Sequence, residues 1–334
     1  MLTPLPSTRD LRALPKAHLH LHLEAGQRPA TLRELLQRHA LETPPAGDGT
    51  FAGFLRIANI VFRALHRPEE YVRLLREIAE DAAGDGAVWI EPAVWITQAT
   101  ADRLGLPDPE AVLQLLLQAA SDAQAATGVG IGFMVATSRV HPSDQAEALA
   151  RLAARYAGRG VVGFGLAGDE ALGPAEPFIG AFGIARAAGL MSTPHAGEHG
   201  GPASVRAALD LLGAQRIEHG VRAIEDPLLV QRIVDEGICL DVCPTSNVQL
   251  SVTDSLEHHP LPALLAAGVT LSLNADDPVI FGCGLLDEYE LARRAFGLDD
   301  SALAKIAANS IRCSGAPESV RSVALERIDA WLSN

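Results

Sequence analysis

The chain has 334 residues, of which 48% are hydrophobic, 20% are charged and 4% are aromatic, and its formal net charge is −14. This composition supplies a large hydrophobic core and excludes a disordered chain. Because the charge repels polyanions, nucleic acid and anionic membranes are unfavourable partners. Residues 1–17 contain no long apolar run, and no apolar stretch of about 18 residues follows them, so we expect a soluble, cytoplasmic protein.

Eight short apolar runs alternate with segments of helical periodicity along the chain. This alternation predicts an α/β fold, and eight strand–helix units predict one (β/α)8 TIM barrel domain over residues 1–334. A doubly wound open sheet is the main alternative, but the GxGxxG fingerprint that often follows its first strand is absent there. We predict the strands at residues 17–23, 87–94, 130–136, 161–166, 189–193, 215–219, 238–242 and 270–273.

Residues 42–68 form an extra segment after the first predicted strand. They could provide a helical cover over the barrel mouth or pack against the outer helices, and the sequence leaves both interpretations open. The apolar residues of this segment are Phe51, Phe54, Leu55, Ile57 and Phe62.

Three histidines alternate with leucines in the first predicted strand. Alternate residues of a strand point to one face, so His18, His20, His22 and Glu24 are expected to face the same way. A single buried histidine is usually a hydrogen-bonded core residue. Several buried imidazoles together are costly unless a cation binds their lone pairs, so the pattern favours a divalent metal site.

A further histidine follows the fifth predicted strand, in the run His195-Ala196-Gly197-Glu198-His199. A barrel carries its active site at the carboxyl ends of its strands. His195 would add an imidazole ligand, and Glu198 would lie near the metal without binding it, which suits a general acid or base. A loop with a helix cap is the alternative for this run taken alone.

Two more motifs stand at strand ends. His219 ends the sixth predicted strand, and the adjacent Asp276 and Asp277 follow the eighth. Neighbouring carboxylates repel each other unless one of them binds a cation or forms a hydrogen bond with a substrate. Adjacent residues of a regular strand point to opposite faces. Asp276 and Asp277 can therefore both point into a barrel only if the strand stops before them, as Pro278 indicates. A solvated turn is the alternative, but one barrel would bring all four motifs together.

The four cysteines are few and scattered, and no CxxC pair occurs. A disulfide scaffold is therefore not expected. We interpret Cys239, Cys243, Cys283 and Cys313 as reduced structural thiols.

Seven motifs follow one another in a specific order and spacing. They are Leu14-Pro15-Lys16-Ala17, Leu19-His20-Leu21-His22-Leu23, Leu166-Ala167-Gly168-Asp169-Glu170, His195-Ala196-Gly197-Glu198, His219-Gly220, Cys243-Pro244-Thr245-Ser246-Asn247 and Ser272-Leu273-Asn274-Ala275-Asp276-Asp277-Pro278. By these motifs the chain resembles the adenosine deaminase family over nearly its whole length. The PCxxC signature of the cytidine-type zinc deaminases is absent.

The resemblance implies one Zn²⁺ per chain, with a water molecule as its fifth ligand. Zinc lowers the pKa of bound water from about 15.7 toward about 7, which provides hydroxide at neutral pH. His22 would also contact the substrate. The implied protein ligands are His20, His22, His195 and Asp276.

The resemblance also implies how a purine is held. Glu198 is the proton donor to purine N1, and His219 orients the zinc water and helps to deprotonate it. Asp277 bonds to N7, and the backbone of Gly168 lies near N3. Attack at C6 dearomatises the ring, so N1 has to be protonated as C6 becomes tetrahedral. Loss of ammonia then leaves a 6-oxopurine.

Three departures from the family pattern concern the substrate and its surroundings. The substrate-binding acid after the His-x-His pair is Glu24, whereas adenosine-specific members commonly have Asp. The longer side chain is more similar to the adenine deaminase subgroup because it would intrude on ribose space, and Ala25 separates it from the usual Gly. Glu91 lacks the usual Arg two residues later, and Gly165 replaces an acid that often supports a ligand histidine.

We therefore predict a zinc-dependent hydrolase that removes the 6-amino group of a small-molecule purine, with adenosine or 2′-deoxyadenosine as the first candidate. Adenine, or a modified adenine nucleoside such as aminodeoxyfutalosine, is the alternative. An amidohydrolase-type enzyme that cleaves an amide or ester with two metal ions and a non-catalytic relative are more remote alternatives. His18 is interpreted as a core residue or as a support for a ligand.

Overall fold

Parallel strands form the centre of the fold. The computed structural model describes residues 9–333, so the first eight residues of the segment 1–17 lie outside it. All strand pairs are parallel. The strands are β1 (Lys16–His22), β2 (Ala87–Val94), β3 (Gly130–Ile131), β4 (Phe133–Ser138), β5 (Val161–Ala167), β6 (Met191–Ala196), β7 (Arg216–His219), β8 (Cys239–Val242) and β9 (Thr270–Leu273).

The strands close into a barrel. Their order follows the sequence from β1 to β9, with β3 as a short piece that pairs with β2. Between β9 and β1, His22 N–H donates to the Asp276 carbonyl at 3.0 Å, and Asp276 N–H donates to the His20 carbonyl at 3.1 Å. The predicted (β/α)8 TIM barrel is therefore confirmed.

Two predicted strands differ from the structure by more than one residue at an end. The predicted strand 130–136 is divided into β3 and β4 at Gly132, where a side chain would collide with Trp89. The predicted strand 189–193 begins at Met191 instead, because Gly189 has a left-handed φ of 83° that belongs to a turn, and it continues to Ala196. The motif that starts at His195 therefore begins inside β6 rather than directly after it.

Helices surround the strands, and local signals set their ends. Asp226 caps one helix by accepting hydrogen bonds from the backbone N–H groups of Leu228 and Leu229 at 3.0 and 3.2 Å.

Within residues 9–333, no helix has the length and apolar character needed to cross a membrane. In the described part of the chain, the 3-10 helices are Leu23–Gly26, Glu176–Phe178 and Val221–Glu225. The α-helices are α1 (Pro29–Arg38), α2 (Phe51–Phe62), α3 (Pro68–Gly84), α4 (Gln98–Leu104), α5 (Pro109–Thr127), α6 (Ser143–Arg155), α7 (Ile179–Ala187), α8 (Gly201–Leu212), α9 (Pro227–Asp235), α10 (Pro244–Gln249), α11 (Leu261–Ala266), α12 (Pro278–Phe281), α13 (Leu285–Phe296), α14 (Asp300–Arg312) and α15 (Glu318–Ser333).

Helix α2 decides between the two interpretations of residues 42–68. It begins after Thr50, whose hydroxyl oxygen accepts a hydrogen bond from Gly53 N–H at 3.0 Å. The residues of α2 that line the cavity at the barrel mouth are Phe51, Phe54, Leu55, Ala58, Asn59 and Phe62. Ile57 instead packs into the hydrophobic core. The segment thus forms a helical cover over the barrel mouth.

The cysteines agree with the expectation of reduced thiols. All four are free. Cys239 and Cys243 are buried in and directly after β8, while Cys283 and Cys313 are partly buried.

Candidate active site

Side chains from the carboxyl ends of β1, β6, β7 and β9 meet inside the barrel. Two overlapping groups of buried side chains have their ligand-type atoms within 4.8 Å of one another. The groups are His20, His195, His219 and Asp276, and His22, Asp276 and Asp277. The structure thus brings the four sequence motifs to one place, where their donor atoms can surround a cation.

Asp276 links the two groups. Its Oδ1 lies 3.1 Å from His20 Nε2 and 3.3 Å from His22 Nε2, while Ser246 Oγ donates to its Oδ2 at 2.6 Å. Although burial opposes ionisation, the imidazoles hold the pKa of Asp276 well below its ordinary value. Burial lowers the pKa of His22, but Asp277 and Asp276, where both are ionised, outweigh it and raise this pKa to about 10. The carboxylates therefore favour positive charge at this point.

The second ring nitrogens of His20 and His195 indicate which nitrogen carries the proton. His20 Nδ1 lies 3.4 Å from the backbone carbonyl oxygen of Asp241, which can only accept. His195 Nδ1 contacts the carboxylate of Glu218. Burial would raise the pKa of Glu218, but His195 outweighs it and lowers this pKa to about 2. In both neutral rings Nε2 then keeps the lone pair that a metal ion requires.

Left-handed backbone conformations direct two of these side chains into the barrel. His219 has a φ of 67° and Asp276 a φ of 61°, which costs a non-glycine residue roughly 1–2 kcal/mol. Glu218 already points inward, so regular strand alternation would turn His219 outward. The positive φ reverses this and brings the imidazole to the cluster.

The end of β9 explains how two adjacent aspartates share one cavity. Regular strand conformation stops at Leu273, and α12 begins at Pro278. In the irregular segment between them, Asp276 and Asp277 both turn toward the cavity. This is the break in the strand that the sequence argument requires.

Glu198 is a buried acid beside the cluster. Its Oε1 lies 3.6 Å from His219 Nε2 and 3.8 Å from His199 Nε2. Burial, reinforced by the negative charge of Asp276, raises the pKa of its carboxyl well above the ordinary value. Burial therefore favours the protonated form of Glu198, which can donate a proton into the cavity that it lines.

Glu170 holds the loop that carries this acid. The backbone N–H groups of Gly197, Glu198 and His199 donate to its carboxylate oxygens at 2.8, 2.9 and 2.9 Å. Three charge-assisted hydrogen bonds fix the loop and thereby the position of Glu198. The sequence indicated no role for Glu170, because no local pattern reveals a contact between loops 27 residues apart.

A cavity of about 400 Å³ opens beside the cluster, within the range of ~300–1,000 Å³ typical of small-molecule sites. His22, Gly168 and Asp277 contribute to its wall. Within the described part of the chain, neither carboxyl oxygen of Asp277 has a hydrogen-bond partner, and burial raises its pKa well above the ordinary value. In its acid form Asp277 can therefore donate a hydrogen bond to a ligand.

Glu24 is separated from the other predicted substrate residues. It lies in the 3-10 helix Leu23–Gly26, and Tyr71 O–H donates to its Oε1 at 3.1 Å. Burial raises the pKa of its carboxyl. Among the described residues, those that line the cavity do not include Glu24.

His18 faces away from the other two histidines of β1, so that part of the sequence prediction is wrong. The register of β1 against β2 shifts between His18 and Leu21, which interrupts the regular alternation. His18 Nε2 accepts a hydrogen bond from Ala275 N–H at 3.1 Å, and the side chain lines a separate cavity. His18 therefore supports the backbone that precedes Asp276.

A buried ion network lies on the amino-terminal side of the cluster. Arg216 pairs with Glu91 at 2.7 Å and with Asp241 at 2.6 Å, and all three side chains are fully buried. Ser272 Oγ donates to Asp241 at 2.6 Å, and the Asp241 carbonyl contacts His20. Glu91 thus has its arginine on β7, although the usual arginine two residues after Glu91 is absent from the sequence.

Comparison with known proteins identifies relatives over almost the whole chain. The family model described as adenosine deaminase matches residues 15–331. The chain is 46% identical to a Streptomyces coelicolor protein named "Putative adenosine/adenine deaminase", over 97% of this chain and 98% of that protein.

Solved structures share the same fold. An adenine deaminase from Arthrobacter aurescens has a TM-score of 0.88 at 32% identity, covering 96% of this chain and 100% of the other. An amidohydrolase from Burkholderia ambifaria, solved with bound Zn, has a TM-score of 0.84 at 27% identity, covering 97% and 93%. The protein is thus a hydrolase that deaminates adenine- or adenosine-type substrates, and the chain belongs to the adenosine deaminase family.

Proposed function

We propose that the protein hydrolyses the C6–N bond of a 6-aminopurine while a buried carboxylic acid protonates N1. The observation that carries this proposal is Glu198, a buried acid that lines the cavity and lies 3.6 Å from His219 Nε2, beside the imidazole and carboxylate cluster. Addition of water at C6 disrupts the aromatic ring, and a proton delivered to N1 compensates for this. An acid that lines the cavity and whose protonated form burial favours fits this requirement.

We propose that His20, His22, His195 and Asp276 hold one zinc ion. The fit is supported by His20 Nε2 and Asp276 Oδ1, two lone-pair atoms that face each other at 3.1 Å. Imidazole and carboxylate donors are common zinc ligands. When bound, zinc would supply a nucleophilic hydroxide at neutral pH by lowering the pKa of a water molecule to about 7.

Other residues would hold the purine. N7 is a hydrogen-bond acceptor, so Asp277 can bond to it only in the acid form that burial favours. The backbone of Gly168 would lie near N3, and the His22 ring would contact the substrate. When the proton of the added hydroxyl group passes to the amino group, ammonia leaves and the 6-oxopurine remains.

We propose adenosine or 2′-deoxyadenosine as the first substrate candidate. The cavity of about 400 Å³ is larger than a bare purine base, and Asn59, Ser138 and His141 add polar groups that could bond ribose hydroxyls. Adenine is the second candidate. It is supported by Glu24, the longer acid where adenosine-specific members commonly have Asp, and by the similarity to the Arthrobacter aurescens adenine deaminase.

A substrate panel tests this proposal. The purified protein is expected to release ammonia from adenosine with a kcat/KM at least about tenfold above that for adenine, because polar wall groups are left unpaired when the sugar is missing. Ammonia is measured with adenosine, 2′-deoxyadenosine, adenine and aminodeoxyfutalosine. Turnover of adenine without turnover of adenosine would establish the second candidate, and release from none of the four would overturn the proposed function.

The same panel applied to two variants tests Glu24, the acid that follows the His-x-His pair. Glu24→Asp shortens the side chain by one methylene, which we expect to raise the adenosine-to-adenine ratio by roughly tenfold. Tyr71→Phe removes the hydroxyl that bonds to Glu24 but keeps the length of the acid, so it serves as the matched control with a smaller change. Equal ratios in both variants would exclude the length of Glu24 as the determinant.

Glu218→Gln is expected to weaken zinc binding by about 10–100-fold. The amide would no longer accept a charge-assisted hydrogen bond from His195 Nδ1, so the ring would be oriented less firmly. Competition against a chromophoric chelator gives the affinity, and metal analysis should find about one equivalent in the unmodified protein. Glu225→Gln, at an exposed carboxylate, is the control. Unchanged affinity would argue against His195 as a ligand, and two equivalents would favour the amidohydrolase-type alternative.

A further inference from the structure

Three hydrogen bonds connect the start of α11 to His219. Leu261 N–H donates to His259 Nδ1 at 3.1 Å. His259 Nε2 and Asn247 Oδ1 are 3.2 Å apart, and Asn247 Nδ2 lies 3.2 Å from His219 Nδ1. All three side chains are buried. We call His259, Asn247 and His219 the amide relay.

The proton positions along the amide relay follow from its first bond. A backbone N–H can only donate, so His259 Nδ1 is the acceptor. Burial lowers the pKa of His259 to about 4, so at neutral pH the ring is neutral and carries its one proton on Nε2. That proton has to meet the oxygen of Asn247, which leaves the amide NH₂ for His219. The donor and acceptor roles of these groups thus fix the orientation of the Asn247 amide, with Oδ1 toward His259 and Nδ2 toward His219.

The amide relay determines the tautomer of His219. Because Asn247 donates to Nδ1, this nitrogen keeps its lone pair, and the neutral ring carries its proton on Nε2. Nε2 is the nitrogen that faces the cavity, 3.6 Å from Glu198 Oε1 and 3.9 Å from Asp276 Oδ2. A nitrogen that carries a proton has no lone pair for a metal ion, although His219 belongs to one of the two geometric groups.

Backbone hydrogen bonds hold the main chain of Asn247 in place. Asn247 N–H donates to the Cys243 carbonyl at 2.9 Å, and its own carbonyl accepts hydrogen bonds from Val252 and Thr253. The His259 ring packs against Phe296, with ring centroids 5.5 Å apart. Reversal of the amide would place its NH₂ group against the Nε2–H of His259, so the native orientation is favoured.

We propose that Asn247 and His259 are positioning residues that keep His219 in its Nε2–H tautomer, so that His219 donates a hydrogen bond to the oxygen being added at C6. This inference rests on the proposed deamination. The neutral ring in this tautomer is neither a metal ligand nor a base, which differs from the role in deprotonation that the family resemblance implies. A fixed donor aimed at a developing negative oxygen stabilises the transition state without reorganisation.

Nitrogen-15 NMR of histidine-labelled protein tests the tautomer directly. The signals of His219 are identified by their loss in His219→Gln and are recorded in zinc-free and zinc-loaded protein at neutral pH. We expect a protonated Nε2 and an unprotonated Nδ1 in both samples. A protonated Nδ1 in either sample would overturn the proposal. This measurement needs neither turnover nor a folded variant at position 247, so its outcome is separate from that of the substrate panel.

Asn247→Asp tests the consequence for turnover. Its carboxylate accepts from both neighbours, so the proton of His219 should move to Nδ1 and the donor toward C6 should be lost. We expect kcat to fall by about 10²–10³-fold, with little change in KM or zinc content. Gln249→Glu places a carboxylate on the same helix, outside the amide relay, and should retain turnover. Unchanged kcat in a variant with the altered tautomer would remove the catalytic part of the proposal.

Discussion

Replacing Glu198 by glutamine is expected to lower kcat by about 10²–10⁴-fold while about one equivalent of zinc stays bound. The amide keeps the size of the carboxyl but cannot transfer a proton to N1. The loop should keep its shape, because Glu170 holds it through backbone N–H groups that the substitution leaves in place. The expected loss is therefore one of chemistry rather than of structure.

Steady-state ammonia release and metal analysis on the same preparation check this expectation. Glu80→Gln, on the outer face of α3, changes a partly exposed carboxylate in the same way and should behave like the unmodified protein. Loss of zinc in the Glu198 variant would mean that this side chain is a ligand. Turnover close to that of the unmodified protein would remove Glu198 as the proton donor and with it the observation that carries the proposed function.

The strands could be predicted because apolar runs and turn residues repeat locally along the chain. The predicted strand bounds are wrong where tertiary contacts override the local pattern. The predicted strand 130–136 is divided at Gly132, where the indole of Trp89 fills the space that a side chain would need. No pattern near Gly132 contains this information, since Trp89 belongs to the preceding strand.

The convergence of the histidine and aspartate motifs could be predicted because parallel strands of a barrel end on the same side. The direction of each side chain was less accessible. His18 breaks the alternation through a register shift of β1, and the inward position of His219 depends on a positive φ that its residue type does not require. A positive φ is uncommon for any residue other than glycine, so the sequence gives no sign of it at His219, and no local pattern marks the register shift at His18.

Supports for the site were the hardest to predict, because they join distant parts of the chain. Glu218 was visible as the neighbour of His219, and the pairing of β6 with β7 places it opposite His195. Asn247 was part of a recognised motif without a role, and His259 belongs to a turn with no other signal. The register of β6 against β7 reveals Glu218, whereas the amide relay depends on contacts between distant parts of the chain.

Arg216→Met is expected to lower the free energy of unfolding by about 3–5 kcal/mol, the usual cost of removing one member of a buried ion network. The arginine is fully buried between Glu91 and Asp241. Without it, two carboxylates inside the barrel lose the charge that compensates them. Because the Asp241 carbonyl contacts His20, zinc affinity should fall together with stability.

Urea unfolding of three variants separates the causes. Arg76→Met, at an exposed ion pair on α3, should change stability little, because exposed pairs contribute little. Combining Arg216→Met with Glu91→Gln and Asp241→Asn removes the uncompensated charges and should recover much of the loss, since a buried network can often be replaced as a whole. If the triple variant were as unstable as the single one, the cost would come from lost packing and hydrogen bonds, such as that from Arg216 to the Cys313 carbonyl. Recovery of stability without recovery of zinc affinity would show that the network also orients the cluster above it.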